Sequence, residues 1–572
     1  VQSDVKFGAN GNGGNIDIKA RSLSMDNFSL LSTATSGQGN AGNISMQVDD
    51  SITLANTSNI RSNVEQGGVG NGGDIDIKAR SLTLTKGAEI GAIVFREENG
   101  FRGGKGKAGN IVINAKDFVD ISGVSSVQLP VSFPTVGFSS GIFASAERGT
   151  TATQPQAAGN ITITTGNFNI ANGAVVDALT SNDGSGGSIT INAKNFTATG
   201  GGQVLTTSRG KGDAGDIILN ISDRITLSGT DPNFNERFER ASKFGLPDDI
   251  VNNQGSASGL FANTTAGSTG DGGTIFIDPR RMVIRDGAGV AVNSQGSGKG
   301  GDIRIQAGTL KLDNKAFISG ETASNQGGNI KLSINDLLLL RRNSKISTSA
   351  GTAQAGGDGG NITINAPNGF IVAFPKENSD IAANAFEGSG GRVDITAFNL
   401  FNIQTLSRDD LVRLLGTEDP IQLDPQRLSS NDITAISQLN PTLNGDVNIQ
   451  DINQDPTQGL ELPEDLGDSS RLITQSCPVG VARATSRFVI TGRGGLPPNP
   501  SSPLSSDVLI ENRTTNTPPQ ATHLEQSNST DSVLVEAQGV DIGTGGEIIF
   551  TAKPSKLNSY NPLQRNIGCY GQ

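Results

Sequence analysis

Gly72-Gly73-Asp74-Ile75-Asp76-Ile77 is a six-residue phrase with two halves. Two glycines followed by Asp are residues that tolerate positive φ, which reads as a tight corner. Ile75 and Ile77 then alternate with a polar residue, the period of a strand with one buried face. The phrase recurs twelve times. Its invariant glycine falls at Gly14, Gly42, Gly73, Gly109, Gly159, Gly187, Gly215, Gly273, Gly301, Gly328, Gly360 and Gly391. Successive spacings are 28, 31, 36, 50, 28, 28, 58, 28, 27, 32 and 31 residues, a unit of about 28 with insertions. The residue after the glycine is Asn or Asp in nine copies, among them Asn15, Asn43, Asp74 and Asn361. Such side chains are placed to form a ladder from unit to unit.

The rest of the unit repeats the alternation. A second apolar pair follows about seven residues after the first Ile, as in Leu23/Met25, Leu82/Leu84, Phe168/Ile170, Met282/Ile284 and Leu310/Leu312. A third apolar point follows about fifteen residues after it, at Ile90, Val176, Val290 and Ile318. One unit thus reads as three short strands and three corners. A single unit cannot bury its inner face, whereas stacked units can, each strand pairing with its equivalent in the next coil. The pattern predicts an all-β protein: a right-handed parallel β-helix, or β-solenoid, of about 12–13 three-strand coils over residues 1–400. At about 4.8 Å per strand, twelve coils would make a rod roughly 60 Å long.

Composition agrees. The chain has 76 Gly in 572 residues, nearly double the roughly 7% of ordinary domains but far from the one in three of collagen. It has no Trp, which a narrow solenoid core has no room for, and 23 Phe. Residues 1–400 hold 62 of the glycines and 8 of the 22 prolines, so composition changes near residue 400. A net charge of −12 argues against nucleic acid as a partner. No run of the roughly 18 apolar residues of a transmembrane helix occurs in the sequence. One His, His523, and two Cys leave little for His-based catalysis or a Cys-rich metal site. The chain opens Val1-Gln2-Ser3-Asp4, so any secretion signal is expected to lie outside it.

The glycine-rich phrases resemble phosphate loops, but every copy leads into another strand where a dinucleotide site needs a helix. They also lack the nine-residue period of calcium-binding repeats. Carbohydrate chemistry on such a scaffold needs two carboxylates close together. The outward column between the paired Ile residues runs Asp17, Ser45, Asp76, Val112, Thr162, Thr190, Ile218, Phe276, Arg304, Lys331, Thr363, Asp394. Acids never occur there on consecutive coils. No catalytic, cofactor-binding or metal-binding residue is therefore assigned.

Two insertions lengthen the repeat, near 121–158 and 228–262. Each keeps a strand-like phrase, Gly141-Ile142-Phe143 and Gly259-Leu260-Phe261, so the coil is expected to survive beneath a longer loop. The second insertion carries Phe234, Arg237, Phe238, Arg240, Lys243 and Phe244. It reads as a short helix packed on the flank of the rod; the competing reading is a protruding contact surface. Beyond residue 400, Ser407–Leu415 reads as a helix with a Ser/Asp start. Asp432–Ser437 and Gly445–Ile449 read as last strands within terminal coils and a cap at 401–455. Residues 456–572 form a Pro-rich tail, with a linker at 497–531 and a terminal hairpin built from Val533–Ala537 and Glu547–Ala552.

The stacked Gly-Gly-(Asn/Asp)-Ile-x-Ile coils, followed by Gly459–Pro463, Ser476-Cys477-Pro478 and Phe488–Pro500, resemble the C-terminal part of cyanobacterial filamentous-haemagglutinin-like exoproteins. These are large proteins of two-partner secretion, also grouped as haemagglutination-activity-domain or S-layer family proteins. The resemblance spans essentially the whole chain. It implies export through an outer-membrane transporter barrel, an extracellular or outer-membrane-associated location, and adhesion to surface glycans or other cells. The family's N-terminal secretion domain is not among these residues, so the chain is expected to be a fragment or truncated product. If the chain is exported, Cys477 and Cys569 would be able to pair, closing a long loop worth about 4–5 kcal/mol in chain entropy; two free thiols are the alternative. The expected function is a non-enzymatic stalk or adhesin. A purely structural surface-layer component and a β-helix polysaccharide lyase or hydrolase are the competing readings.

Overall fold

Ile16 lies opposite Ile44, and Ile44 opposite Ile75, in parallel strands. In a computed structural model of the protein the same column continues through Ile111, Ile161, Ile189, Ile217 and Ile275. It then runs through Ile303, Ile330, Ile362 and Val393 to Val447. The structure describes residues 1–97, 100, 102–125, 137–243, 253–451, 539–542 and 548–551. It comprises two units, Val1–Leu466 and Gly467–Gln572.

The first unit is a parallel β-helix. Its strands form a 16-stranded sheet and a 13-stranded sheet, and in both the order follows the coils. The larger sheet carries the first and second apolar pairs of each unit, and the smaller carries the third apolar point. Between the sheets lies one continuous core in which Ile75, Ile77, Leu82, Leu84 and Ile90 have no exposed surface. The same inward positions are filled coil after coil, and each buried aliphatic side chain contributes about 1.5–3 kcal/mol. Phe168 and Phe196 occupy equivalent positions on successive coils, and their rings stack at 5.4 Å and 5°.

The unit has fewer corners than its pattern predicts. In most coils the first two strands run on as one, as in Ile75–Thr85, Ile161–Ala171 and Ile362–Ala373. The expected corner is a register shift inside that strand, between Thr165 and Asn167 for example. An extra residue bends the strand without breaking its ladder. The two halves are separate strands in the first two coils and again at Ile275–Ile277 and Arg281–Arg285, on either side of Pro279.

Both insertions leave the coil in register. Gly141–Phe143 pairs with Glu89–Gly91 and Val175–Asp177, and Gly259–Phe261 with Gln203–Leu205 and Gly289–Ala291. At the C-terminal end Asp446–Asp451 pairs with Arg392–Ala397, and Asp432–Thr434 inserts between Asp380–Ala382 and Gln404–Thr405. A helix, Arg408–Leu415, begins at Ser407 with a reciprocal capping box to Asp410 and ends at Gly416 in the left-handed conformation. Its Leu411 is buried with Leu406, Leu423 and Ile436 in a small separate core.

In the second unit, Gly539–Ile542 and Ile548–Thr551 form an antiparallel pair. The first strand of that hairpin thus lies later than the expected Val533–Ala537, which falls outside the described residues. So do Cys477, Cys569, the 497–531 linker and most of the tail.

Candidate functional site

The twelve invariant glycines stack as the repeat requires, but not for the reason that their sequence suggests. None has a positive φ. A Cβ on Gly42 would stand 2.2 Å from the carbonyl oxygen of Gly14, and one on Gly187 would stand 1.8 Å from that of Gly159. The same close approach carries on to Gly391 against Gly360 and to a thirteenth copy, Gly445, against Gly391. Backbone touches backbone here, and no side chain fits between.

The Asn and Asp residues beside them form the expected ladder. The Oδ1 atoms of Asn15, Asn43 and Asp74 accept from the N–H groups of Asn43, Asp74 and Asn110 at 2.7–2.9 Å. The ladder lapses where a coil carries Ser188 or Thr274 in place of Asn or Asp, since these still donate but do not accept from the next coil. A second ladder stands three residues earlier. Asn12 and Asn40 accept from Asn40 and Asn71, and Asp213 and Asp271 from Asp271 and Lys299. The fixed offset of Asn12, Asn40 and Asn71 from the first ladder was the sequence signal for it.

The register of the outward column from Asp17 to Asp394 is as read from sequence, and it brings no two acids onto adjacent coils. The acids that do converge lie elsewhere, on the outer face of the smaller sheet. A cleft of about 250 Å³ opens there, lined by Arg61, Glu89, Phe95, Arg96, Phe138, Phe143, Glu147, Asp177 and Arg209 among others. Its floor is shaped by two missing side chains. A Cβ on Gly91 would stand 2.6 Å from Glu89 Oε1, and one on Gly141 would stand 2.6 Å from the Phe143 ring.

Electrostatics in the cleft divide into pairs and remainders. Arg61 faces Glu65 at 3.7 Å, and Arg96 faces Glu147 at 3.6 Å. Burial pushes the Asp177 carboxyl up to about 7, against the opposing pull of Arg209 and of the Leu179 N–H, which it accepts at 2.7 Å. Burial likewise pushes Glu89 up to about 7, with Arg61 opposing. Arg209 makes no ion pair among the described residues. Thr57 Oγ1, Asn59 Oδ1, Arg61 Nε and Arg96 Nε, on residues lining the cleft, are buried polar atoms with no hydrogen-bond partner among the described residues. Sequence reading missed these groups because Glu89 and Asp177 sit two strands apart in the third-strand column and 88 positions apart in the chain.

Further along the same face the sheet's outer surface is apolar. Phe143, Val175, Leu205, Phe261 and Ala291 form a second, smaller core. Gln203 donates to the carbonyls of Gly255 and Ala257 and accepts from Gln254 N–H, which ties the second insertion across the face. Beyond it a second cleft of about 330 Å³ holds Glu321, Lys345, Asp380 and Asp424. Asp380 is pushed up to about 7 by burial, against a hydrogen bond from Asp432 N–H.

The helix expected in the second insertion is Phe234–Lys243. It lies against the flank: Arg237 is buried on Asp231 and also donates to Gly137 O and Asn253 Oδ1. Phe234 and Phe238 stack at 6.0 Å, and Phe238 remains exposed. On the opposite, larger sheet Phe370, Phe398 and Phe401 form an exposed aromatic cluster, with Phe398 edge-on to Phe370 at 5.2 Å. No helix among the described residues is long and apolar enough to cross a membrane. The chain matches no family model, no curated protein and no solved structure.

Proposed function

We propose that this chain is a stalk with adhesive surfaces, carried on the outside of the cell by a filamentous-haemagglutinin-type exoprotein and exported through an outer-membrane transporter barrel. The observation that carries the reading is the unbroken parallel register from Ile16 to Val447. Such a ladder resists bending because every coil is bonded to both neighbours, and it gives length without a large core. Exposed aromatics and loop-built clefts repeated along a rigid rod would make contacts that are weak singly and strong together. Surface glycans or neighbouring cells are the proposed partners.

Two measurements test it together. Antibodies to the chain should label intact source cells, and beads coated with the purified chain should adhere to those cells. Labelling confined to the cell interior, or beads that do not adhere, would reject the stalk-adhesin reading.

One observation favours a second reading. Glu89 and Asp177 line one cleft and hold protons near neutral pH, as glycoside-cleaving sites require of their acid. Release of reducing ends from a polysaccharide by the purified chain, abolished in Glu89→Gln, would establish the enzyme in place of the adhesin.

A further inference from the structure

Most of the outward positions on a solenoid face are solvated or filled. The cleft between Arg61 and Arg209 is left open by the described residues, and its composition is selective. Its walls carry three guanidinium groups, and among the described residues two of these, Arg61 and Arg96, have carboxylate ion-pair partners. Burial pushes the cleft's other two acids, Glu89 and Asp177, up to about 7, so that both are mostly protonated at pH 6. Arg209, which faces Asp177, therefore carries an uncompensated positive charge on the acid side of neutrality, beside polar atoms that have no partner among the described residues. Phe138 adds an exposed apolar surface at the same opening.

We infer that this cleft binds a short acidic saccharide, with a uronate carboxylate paired to Arg209 and a sugar ring face against Phe138. A guanidinium recognises a carboxylate by paired N–H donors. A sugar offers hydroxyls that both donate and accept, which suits a cleft lined by amide, hydroxyl, carboxyl and guanidinium groups together. The cleft's volume lies just below the roughly 300–1,000 Å³ of drug-sized sites, so one or two sugar units fill it. The cleft spans the strands from Asn59 to Asp177 and reaches Arg209 on the next coil. A disaccharide would lie obliquely across the coils, from the Phe138 side toward Arg209.

Binding then depends on pH through groups already named. Glu89 faces Arg61, Glu65 and Arg96, and Asp177 faces Arg209. Below about pH 7 both acids are protonated and donate hydrogen bonds; above it they ionise and repel a uronate, which is anionic throughout. The inference rests on the adhesive reading only for its setting, by naming a receptor chemistry. Export and bead adhesion are free to hold while the cleft fails to bind, so the two failures are distinguishable.

The test is calorimetric titration of the full chain with cellobiouronate and with its neutral counterpart cellobiose. At pH 6 the uronate should bind at least about tenfold more tightly, and its affinity should fall at least about tenfold by pH 8.5. Arg209→Gln should remove the preference for the uronate. Asp177→Asn and Glu89→Gln should keep binding at pH 6 and flatten its pH dependence. The wild-type pH profile needs no variant to fold. Equal affinity for the two disaccharides, a flat wild-type profile, or no binding of either would overturn the proposal; displacement by acetate as readily as by glucuronate would show that no sugar ring is read, and would overturn it too.

Discussion

A methyl group at Gly215 would stand 2.0 Å from the Gly187 carbonyl oxygen, far inside van der Waals contact and against backbone that cannot turn aside. Gly215→Ala should therefore force two coils apart and lower stability by about 3 kcal/mol or more, read as a fall in the denaturant midpoint. Gly356→Ala is the control: its nearest atom is Glu387 Oε2 at 3.7 Å, and the change should be neutral or stabilising by up to about 1 kcal/mol. Equal midpoints for the two variants would dismiss the backbone-contact account of the repeat. The ladder residues are worth less each. Asn361 is exposed and accepts from Arg392 N–H at 3.1 Å, so Asn361→Ala should cost about 1 kcal/mol. Asn361→Asp retains the acceptor beside Arg392 and should restore the midpoint.

Among the elements, the second insertion shows how a loop is held on a repeat. Arg237 and Asp231 are each about nine-tenths buried (7% and 8% exposed), and Arg237 also reaches Gly137 in the first insertion. Removing the guanidinium leaves a buried carboxylate without its partner. Arg237→Ala should cost about 3–5 kcal/mol locally, seen as faster amide exchange over residues 229–243 while the Gly259–Phe261 strand stays protected. Phe238→Ala, at an exposed position on the same helix, should change little. If exchange accelerated equally in both variants, the helix would not be anchored by this ion pair. The flank position follows from a buried arginine that helical periodicity alone does not reveal, since Arg237 reads as a surface residue until Gly137 and Asp231 are seen around it.

For the whole molecule, several buried carboxyls set the dependence of stability on pH. Glu89, Asp177 and Asp380 are pushed up to about 7 by burial, and Asp432 is raised as well. Between the ordinary carboxylate range and pH 7 the folded protein thus binds more protons than the unfolded chain, and stability falls as pH rises through that window. Asp313 and Glu377 act in the opposite sense. Although burial opposes it for Asp313, hydrogen bonds from Arg342 and Lys311 hold its carboxyl below the usual range, and the Arg341 pair does so for Glu377. Their contribution is lost as pH falls below about 4. The melting temperature should therefore peak near pH 4 and decline from there through pH 7, and the double variant Asp177→Asn, Asp380→Asn should flatten that decline. A wild-type melting temperature that rises from pH 5 to pH 8 would contradict the buried-acid assignment.

The coil, its inward residues and its first ladder were legible in the order of residues, because a stack of like units repeats each local environment and so repeats each local choice of residue. Ile75, Leu82 and Ile90 announce their burial by spacing alone. The meaning of Gly73 was not legible: corner chemistry and backbone contact call for the same residue, and only the position of the next coil separates them. The cleft was beyond sequence for a related reason. Glu89, Asp177 and Arg209 line one cleft because the insertion near 121–158 leaves the strands beneath it in register, and burial and charge pairing there depend on distances in space that no spacing along the chain records.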